Sequence, residues 1–223
     1  MKFKAIIFDM DGTIIDTEHA FVEAQNTLIA RRGIKLTDDM RCEIAERTRG
    51  ITLAVSVGII KEITCLDEDL DVLIAEKRAI ADEIYERESC LIDGFHAFHG
   101  HMNVNHQLKS AIATNADDTT LAIAKRKFEL ETYFGQHIYN VTHVNHKHKP
   151  NPALYLHAAS QLEIDPIYCI AIEDSPAGIK AAKAAGMFCI GINTGKDRDK
   201  LHESDLIIEG YHEIDLKSLL HGE

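Results

Sequence analysis

Six short runs of Ile, Val, Ala and Phe recur along the chain, at Ala5–Phe8, Ser110–Ala113, Ile138–Val141, Tyr168–Ile172, Phe188–Ile192 and Leu206–Ile208. A strand that is apolar on successive residues must bury both faces, the condition of a parallel sheet covered by helices on each side. Helical spacing follows several of these runs: Leu121, Ala124 and Phe128 after the second, and Leu154, Ala158 and Leu162 after the third. Ser175-Pro176, just past the fourth run, predicts a capped helix start, and Gly186 its end. The chain is therefore expected to be α/β, with a parallel sheet and crossover helices.

The alternation breaks once. Between the first two runs lie about a hundred residues without a strand signal but with helical spacings such as Phe21/Ala24/Leu28, closed at Gly33, and Leu70/Leu73/Ile74/Ala81/Ile84. Thr37 and Asp67 are candidate caps there. The expectation is an all-helical insertion at 17–91, hung on a core made of 1–16 and 92–223. The stretch His96–Gln107 should lead into the second strand as a helix, although Gly100, Asn103 and Asn105 weaken it.

Charge narrows the function. Twenty-four Lys+Arg against 36 Asp+Glu leave a net charge of −12, which opposes binding to nucleic acid or an anionic membrane surface. The longest mostly apolar stretch, Ile51–Ile60, is about half the ~20 residues a membrane span needs. Five cysteines without a CxxC pair suit reduced thiols, so a cytoplasmic protein is expected.

The first run ends in Asp9-Met10-Asp11-Gly12-Thr13. Ligands of open α/β sheets bind beyond the carboxyl ends of the strands, so two carboxylates at i and i+2 there, with Gly12 permitting a tight turn, can serve one pocket. Such a pair can hold a hard divalent ion, and one acid can act as nucleophile while the other handles a proton. Three further groups follow later strands in order. Thr114-Asn115 offers a hydroxyl and an amide to a phosphate, or simply a helix cap. Lys149 is expected to open a helix, where a cation opposes the dipole and needs an anionic partner. Glu173-Asp174-Ser175 sets two acids side by side, an acidic helix start or one side of a cation site.

Together, Asp9-Met10-Asp11-Gly12-Thr13, Thr114-Asn115, Lys149-Pro150 and Glu173-Asp174-Ser175-Pro176-Ala177-Gly178 resemble the four ordered motifs of the haloacid dehalogenase (HAD) superfamily. The segments from Lys149 to Tyr155 and from Glu173 to Met187 are similar to its branch of β-phosphoglucomutase and small phosphosugar or phosphoglycolate phosphatases. The resemblance implies a Rossmann-like core with a helical cap and a Mg²⁺-dependent phosphatase of small phosphorylated metabolites. It implies Asp9 as nucleophile, Asp11 as acid and base, Thr114 and Lys149 on the phosphoryl group, and Gly12, Thr114, Asn115, Arg49 and Lys149 in substrate binding. Mg²⁺ would lie on Asp9, the Asp11 carbonyl and Asp174, with Glu173 as a further or outer ligand.

Two other readings stand beside it. A phosphosugar mutase would share the core, but mutases of this branch usually carry a histidine where this chain has Phe21. A phospho-aspartate receiver would place its acidic pair after the first strand and its phosphorylated aspartate after the third, an order this chain does not follow. Lys77 and Arg78 are expected on a solvated helix face. Nine of the thirteen histidines lie between His96 and His157 and are expected to be mostly solvated rather than a zinc centre. The partner expected is a small phosphorylated metabolite, and the protein a monomer or weak homodimer.

Overall fold

Strand β1 (Ala5–Phe8) is buried on every residue, so its alternate side chains need a core on each face. The computed structural model, which describes residues 3–48 and 53–221, supplies both. On one face Ala5 and Ile7 join Ala111, Ala113, Cys169, Ala171, Leu154 and Ile179 in an aliphatic cluster. On the other, Phe8 meets Phe95 and Phe134 at ring-centroid distances of 5.8 and 5.7 Å, within the range of favourable aromatic pairs.

The remaining strands are β2 (Ile15–Asp16), β3 (Cys90–Leu91), β4 (Lys109–Ala113), β5 (Ile138–Tyr139), β6 (Cys169–Glu173), β7 (Phe188–Ile192) and β8 (Leu206–Ile208). Six form one sheet in the order β5-β4-β1-β6-β7-β8, all parallel. Phe8 is paired with Ile112 on one side and Ile172 on the other. That register brings the carboxyl ends of β1, β4 and β6 level, so Asp9, Thr114 and Glu173 leave the sheet at one edge. The strand order reverses around β1, the place where doubly wound sheets bind ligands. In chain order the core helices are α5 (Phe95–His106), α6 (Asp118–Phe128), α7 (Leu130–Phe134), α8 (Ala153–Gln161), α9 (Pro176–Ala184) and α10 (Leu216–His221).

Several expectations shift by a few residues for physical reasons. The insertion forms its own compact unit, Thr17–Ser89, two residues shorter than the expected 17–91. Cys90 and Leu91 pair antiparallel with Asp16 and Ile15 instead, a two-residue ladder too short to leave a periodic signal. The run ending at Val141 is a strand only through Tyr139, because Asn140 caps a 3-10 turn over Val141–Val144. Helix α5 forms despite its glycine and asparagines. Gly94 and Gln107 close it in left-handed conformation at either end, and buried Phe95, Phe98 and Met102 anchor it.

The inserted unit contains α1 (Glu18–Ala30), α2 (Asp38–Thr48), α3 (Leu53–Thr64) and α4 (Leu70–Glu88). Ala20, Ala24 and Leu28 of α1 pack on Ile80, Ala81 and Ile84 of α4, while Ile29, Ile44 and Ile60 form a second nucleus. Thr37 caps α2 through the Met40 amide. The cap of α4 is Asp69, accepting from the amides of Asp71 and Val72, not Asp67. Phe21 lies outside the α1–α4 seam and is 44% exposed.

Lys77 also departs from expectation. Arg78 is exposed, but Lys77 is 4% exposed and donates to the Ser56 hydroxyl at 2.9 Å. Burial lowers its pKa from 10.5 to about 8, because a hydroxyl does not replace the lost hydration of an ammonium. A base whose folded pKa is depressed sheds its proton before the unfolded chain does. Stability should therefore rise with pH between about 8 and 10.5. Thermal melts across that window should show Lys77→Met more stable than wild type at pH 7, with the gap closing as pH approaches 10.5.

Candidate active site

Asp9 follows β1 directly and is 7% exposed, its amide tied to the Ile172 carbonyl at 3.0 Å. The chain then turns back sharply: Gly12 has φ +80°, and its amide donates to the Ile15 carbonyl at 2.7 Å. No other residue suits this position, since a Cβ on Gly12 would lie 2.2 Å from Oδ2 of Asp174. Two distant hydroxyls brace the loop. Thr194, just past β7, donates to the Gly12 carbonyl at 2.6 Å, and Tyr211 donates to the Thr13 carbonyl at 2.9 Å.

Lys149 is the centre of the arrangement. It does not open a helix as expected but sits in the turn before α8, which starts four residues later at Ala153. Its anionic partners are two carboxylate side chains. Nζ donates to Oδ1 of Asp9 and, at 2.6 Å, to Oε1 of Glu173. Asn115 holds the turn by accepting the Lys149 amide on Oδ1 at 2.9 Å. Thr114 is 1% exposed and accepts the Ala116 amide on Oγ1 at 3.0 Å, so it caps its own loop. The helix that follows is capped by Asp117.

Glu173 is completely buried. Oε1 also accepts the Tyr155 hydroxyl at 2.7 Å, while Oε2 accepts the hydroxyl and amide of Ser175 at 3.1 and 3.4 Å. Asp174, next in the chain, is half-buried beside Gly12. Asp9, Glu173 and Asp174 each present one carboxylate oxygen, and the three lie within 4.8 Å of one another.

The electrostatics are dominated by burial of several acids around one ammonium. Burial raises the Asp9 carboxyl well above its ordinary range, and Glu173 and Asp174 add to the rise while Lys149 opposes it. Burial and then Glu173 push Asp174 up to about 8. Burial alone would lower Lys149, but Asp9 and Glu173 reverse that and raise it. Asp9, Glu173 and Asp174 share one ammonium, and Asp11 adds its charge to Asp174, so a divalent ion with hard oxygen preference fits the donor set.

The haloacid dehalogenase-like hydrolase family model matches residues 3–186. The chain belongs to that family. The HAD-like core is structurally similar to a family IA hydrolase from Entamoeba histolytica, with TM-score 0.83, 26% identity and 97% of each chain covered. Among curated relatives, validoxylamine A 7'-phosphate phosphatase of Streptomyces hygroscopicus subsp. limoneus is 29% identical over 95% of this chain and 96% of its own. The β-phosphoglucomutase of Bacillus subtilis is 28% identical over 99% of this chain and 95% of its own.

Of the HAD motif residues singled out in the sequence, Asp9, Lys149, Glu173 and Asp174 converge. Asp11 and Gly12 lie in the same turn, and Thr114 and Asn115 in the loop after β4. Arg49 lies outside the described residues. Tyr155, Ser175 and Thr194 were not assigned a site role by sequence. Tyr155 looks like one more large residue on an apolar helix face, and its hydroxyl was the available clue, since a buried phenol needs a partner.

Glycine 178 makes the fit measurable. A Cβ there would fall 1.8 Å from Oε1 of Glu173. Alanine normally gains up to about 1 kcal/mol over glycine in a helix interior, but Glu173 is held by four hydrogen bonds and would lose some of them in moving aside. Gly178→Ala should therefore lose about 1–3 kcal/mol in urea denaturation, as overpacking does.

Proposed function

We propose that this HAD family member is a Mg²⁺-dependent phosphatase that hydrolyses phosphoric monoesters of small sugar-like metabolites through a phosphoryl group carried on Asp9. The observation that carries this reading is the buried Lys149 ammonium held between Asp9 and Glu173. An ammonium there opposes the rise that burial imposes on the Asp9 carboxyl and so favours the ionised form a nucleophilic carboxylate requires. Lys149 engages one Asp9 oxygen, Oδ1, and leaves Oδ2 for attack.

In the first step Oδ2 of Asp9 bonds to phosphorus while the bond to the leaving oxygen breaks, and Asp11 gives that oxygen a proton. In the second, water attacks the phosphoryl group, Asp11 takes its proton, and Asp9 is released. Lys149 and Thr114 stay beside the phosphoryl oxygens throughout, and positioning of this kind supplies most of the catalysis of phosphoryl transfer. Mg²⁺, when bound, supplies positive charge to the phosphoryl oxygens, and Asp9, Asp174 and the Asp11 carbonyl are the groups that would hold it.

The substrate class rests on the relatives named above, both of which act on phosphorylated carbohydrates or their analogues by name. Hydrolysis is favoured over mutase chemistry because Phe21, which replaces the usual mutase histidine, offers no group to pass a proton. A reducing compartment agrees with five free cysteines. Among the described residues no helix is long and apolar enough to cross a membrane.

Phosphate release should be measured over sugar phosphates, phosphoglycolate and nucleotides. Activity should require Mg²⁺ and vanish on chelation. Asp9→Asn should retain under about a thousandth of wild-type kcat, on the scale seen when a nucleophile is lost. Conversion of β-glucose 1-phosphate to glucose 6-phosphate without phosphate release would replace this reading with the mutase.

A further inference from the structure

Glu173 lies within reach of the cation site yet its carboxylate is fully engaged elsewhere. Oε1 takes Lys149 and Tyr155, Oε2 takes Ser175 twice, and the backbone of Gly178 closes over it. A carboxylate has about four lone-pair positions, and all four are used. One Glu173 oxygen lies within 4.8 Å of one oxygen each of Asp9 and Asp174, so a modest rotation of Glu173 would deliver it to a cation held there. What opposes that rotation on the Oε1 side, apart from Lys149 itself, is the hydroxyl of Tyr155.

We propose that Tyr155 is a positioning residue that holds Glu173 on Lys149 and so withholds this carboxylate from the cation site. Mg²⁺ keeps part of its coordination for water and substrate phosphate. An additional protein carboxylate would bind the ion more tightly and take a position the phosphoryl group needs. It would also leave Lys149 paired with Asp9 alone. The Tyr155 ring packs against the ammonium, with Nζ 5.0 Å from its centroid, so Tyr155→Phe keeps the ring and removes only the hydroxyl. The kinetic half of this inference rests on the phosphatase reading, whereas the binding half does not.

The test is a cycle of wild type, Tyr155→Phe, Glu173→Gln and the double variant. Mn²⁺ affinity of the substrate-free protein is read by electron paramagnetic resonance, and steady-state phosphate release is read with Mg²⁺. Tyr155→Phe should bind Mn²⁺ on the order of tenfold tighter and lose on the order of tenfold in kcat, the range typical of groups that orient metal ligands. Its KM should move by less than about threefold, since substrate contacts are untouched. The tightening should disappear in the Glu173→Gln background, because glutamine is a poor ligand for a hard cation. Glu173→Gln alone should bind Mn²⁺ within about threefold of wild type, since in wild type this carboxylate is not a ligand. A tenfold weakening in Glu173→Gln, or an unchanged affinity in Tyr155→Phe, would overturn the proposal. If no phosphoester is turned over by wild type, the phosphatase reading falls while the binding cycle still decides the role of Tyr155.

Discussion

A single ammonium buried among acids is the constraint that organises this protein. Removing an ion from water costs several kcal/mol even after relaxation, and Lys149 is 3% exposed at its side chain. It is tolerated because Asp9 and Glu173 meet it from two neighbouring strands, and it opposes in turn the rise that burial imposes on Asp9. Removing Lys149 would leave two buried acids without their counter-charge. The geometry around them follows: the level register of β1 and β6, the closed turn at Gly12, and the open backbone at Gly178.

The same logic explains why the sheet could be read from sequence while the site could be read only in outline. Runs such as Ala5–Phe8 and Phe188–Ile192 are strands with the bounds their composition suggests, since both faces must be apolar. Helices with capped or glycine-closed ends, such as α9 between Ser175 and Gly186, were equally legible. The two-residue ladder of β2 and β3 was not, because its pairing depends on residues 74 and 76 positions apart rather than on local pattern.

Asp9, Lys149, Glu173 and Asp174 could be named in advance because acids and a lysine at strand ends conflict with their surroundings unless they meet. What sequence did not convey is which acid does what. Glu173 and Asp174 are adjacent and chemically alike, yet one is sealed among hydrogen-bond donors and the other faces the turn at Gly12. That division comes from Tyr155 and Ser175, whose side chains read as packing and capping. Lys77 was misjudged for the converse reason: helical periodicity describes the direction of a side chain, and the cost of burying its charge does not appear in that pattern.

The braces on the Asp9 loop also bear on the order in which a newly made chain assembles this site. Asp9 emerges early, its lysine lies 140 residues later, and the hydroxyls of Thr194 and Tyr211 lie 182 and 198 residues from the carbonyls they hold. At roughly 5–20 residues per second, the aspartate waits roughly 7–28 seconds for its counter-charge. Strand β1 has no sheet partner until β4 is made, whereas the inserted helices lie wholly in between and can pack during that interval. Ribosomal synthesis therefore completes the inserted helices before the Asp9 turn can meet its lysine.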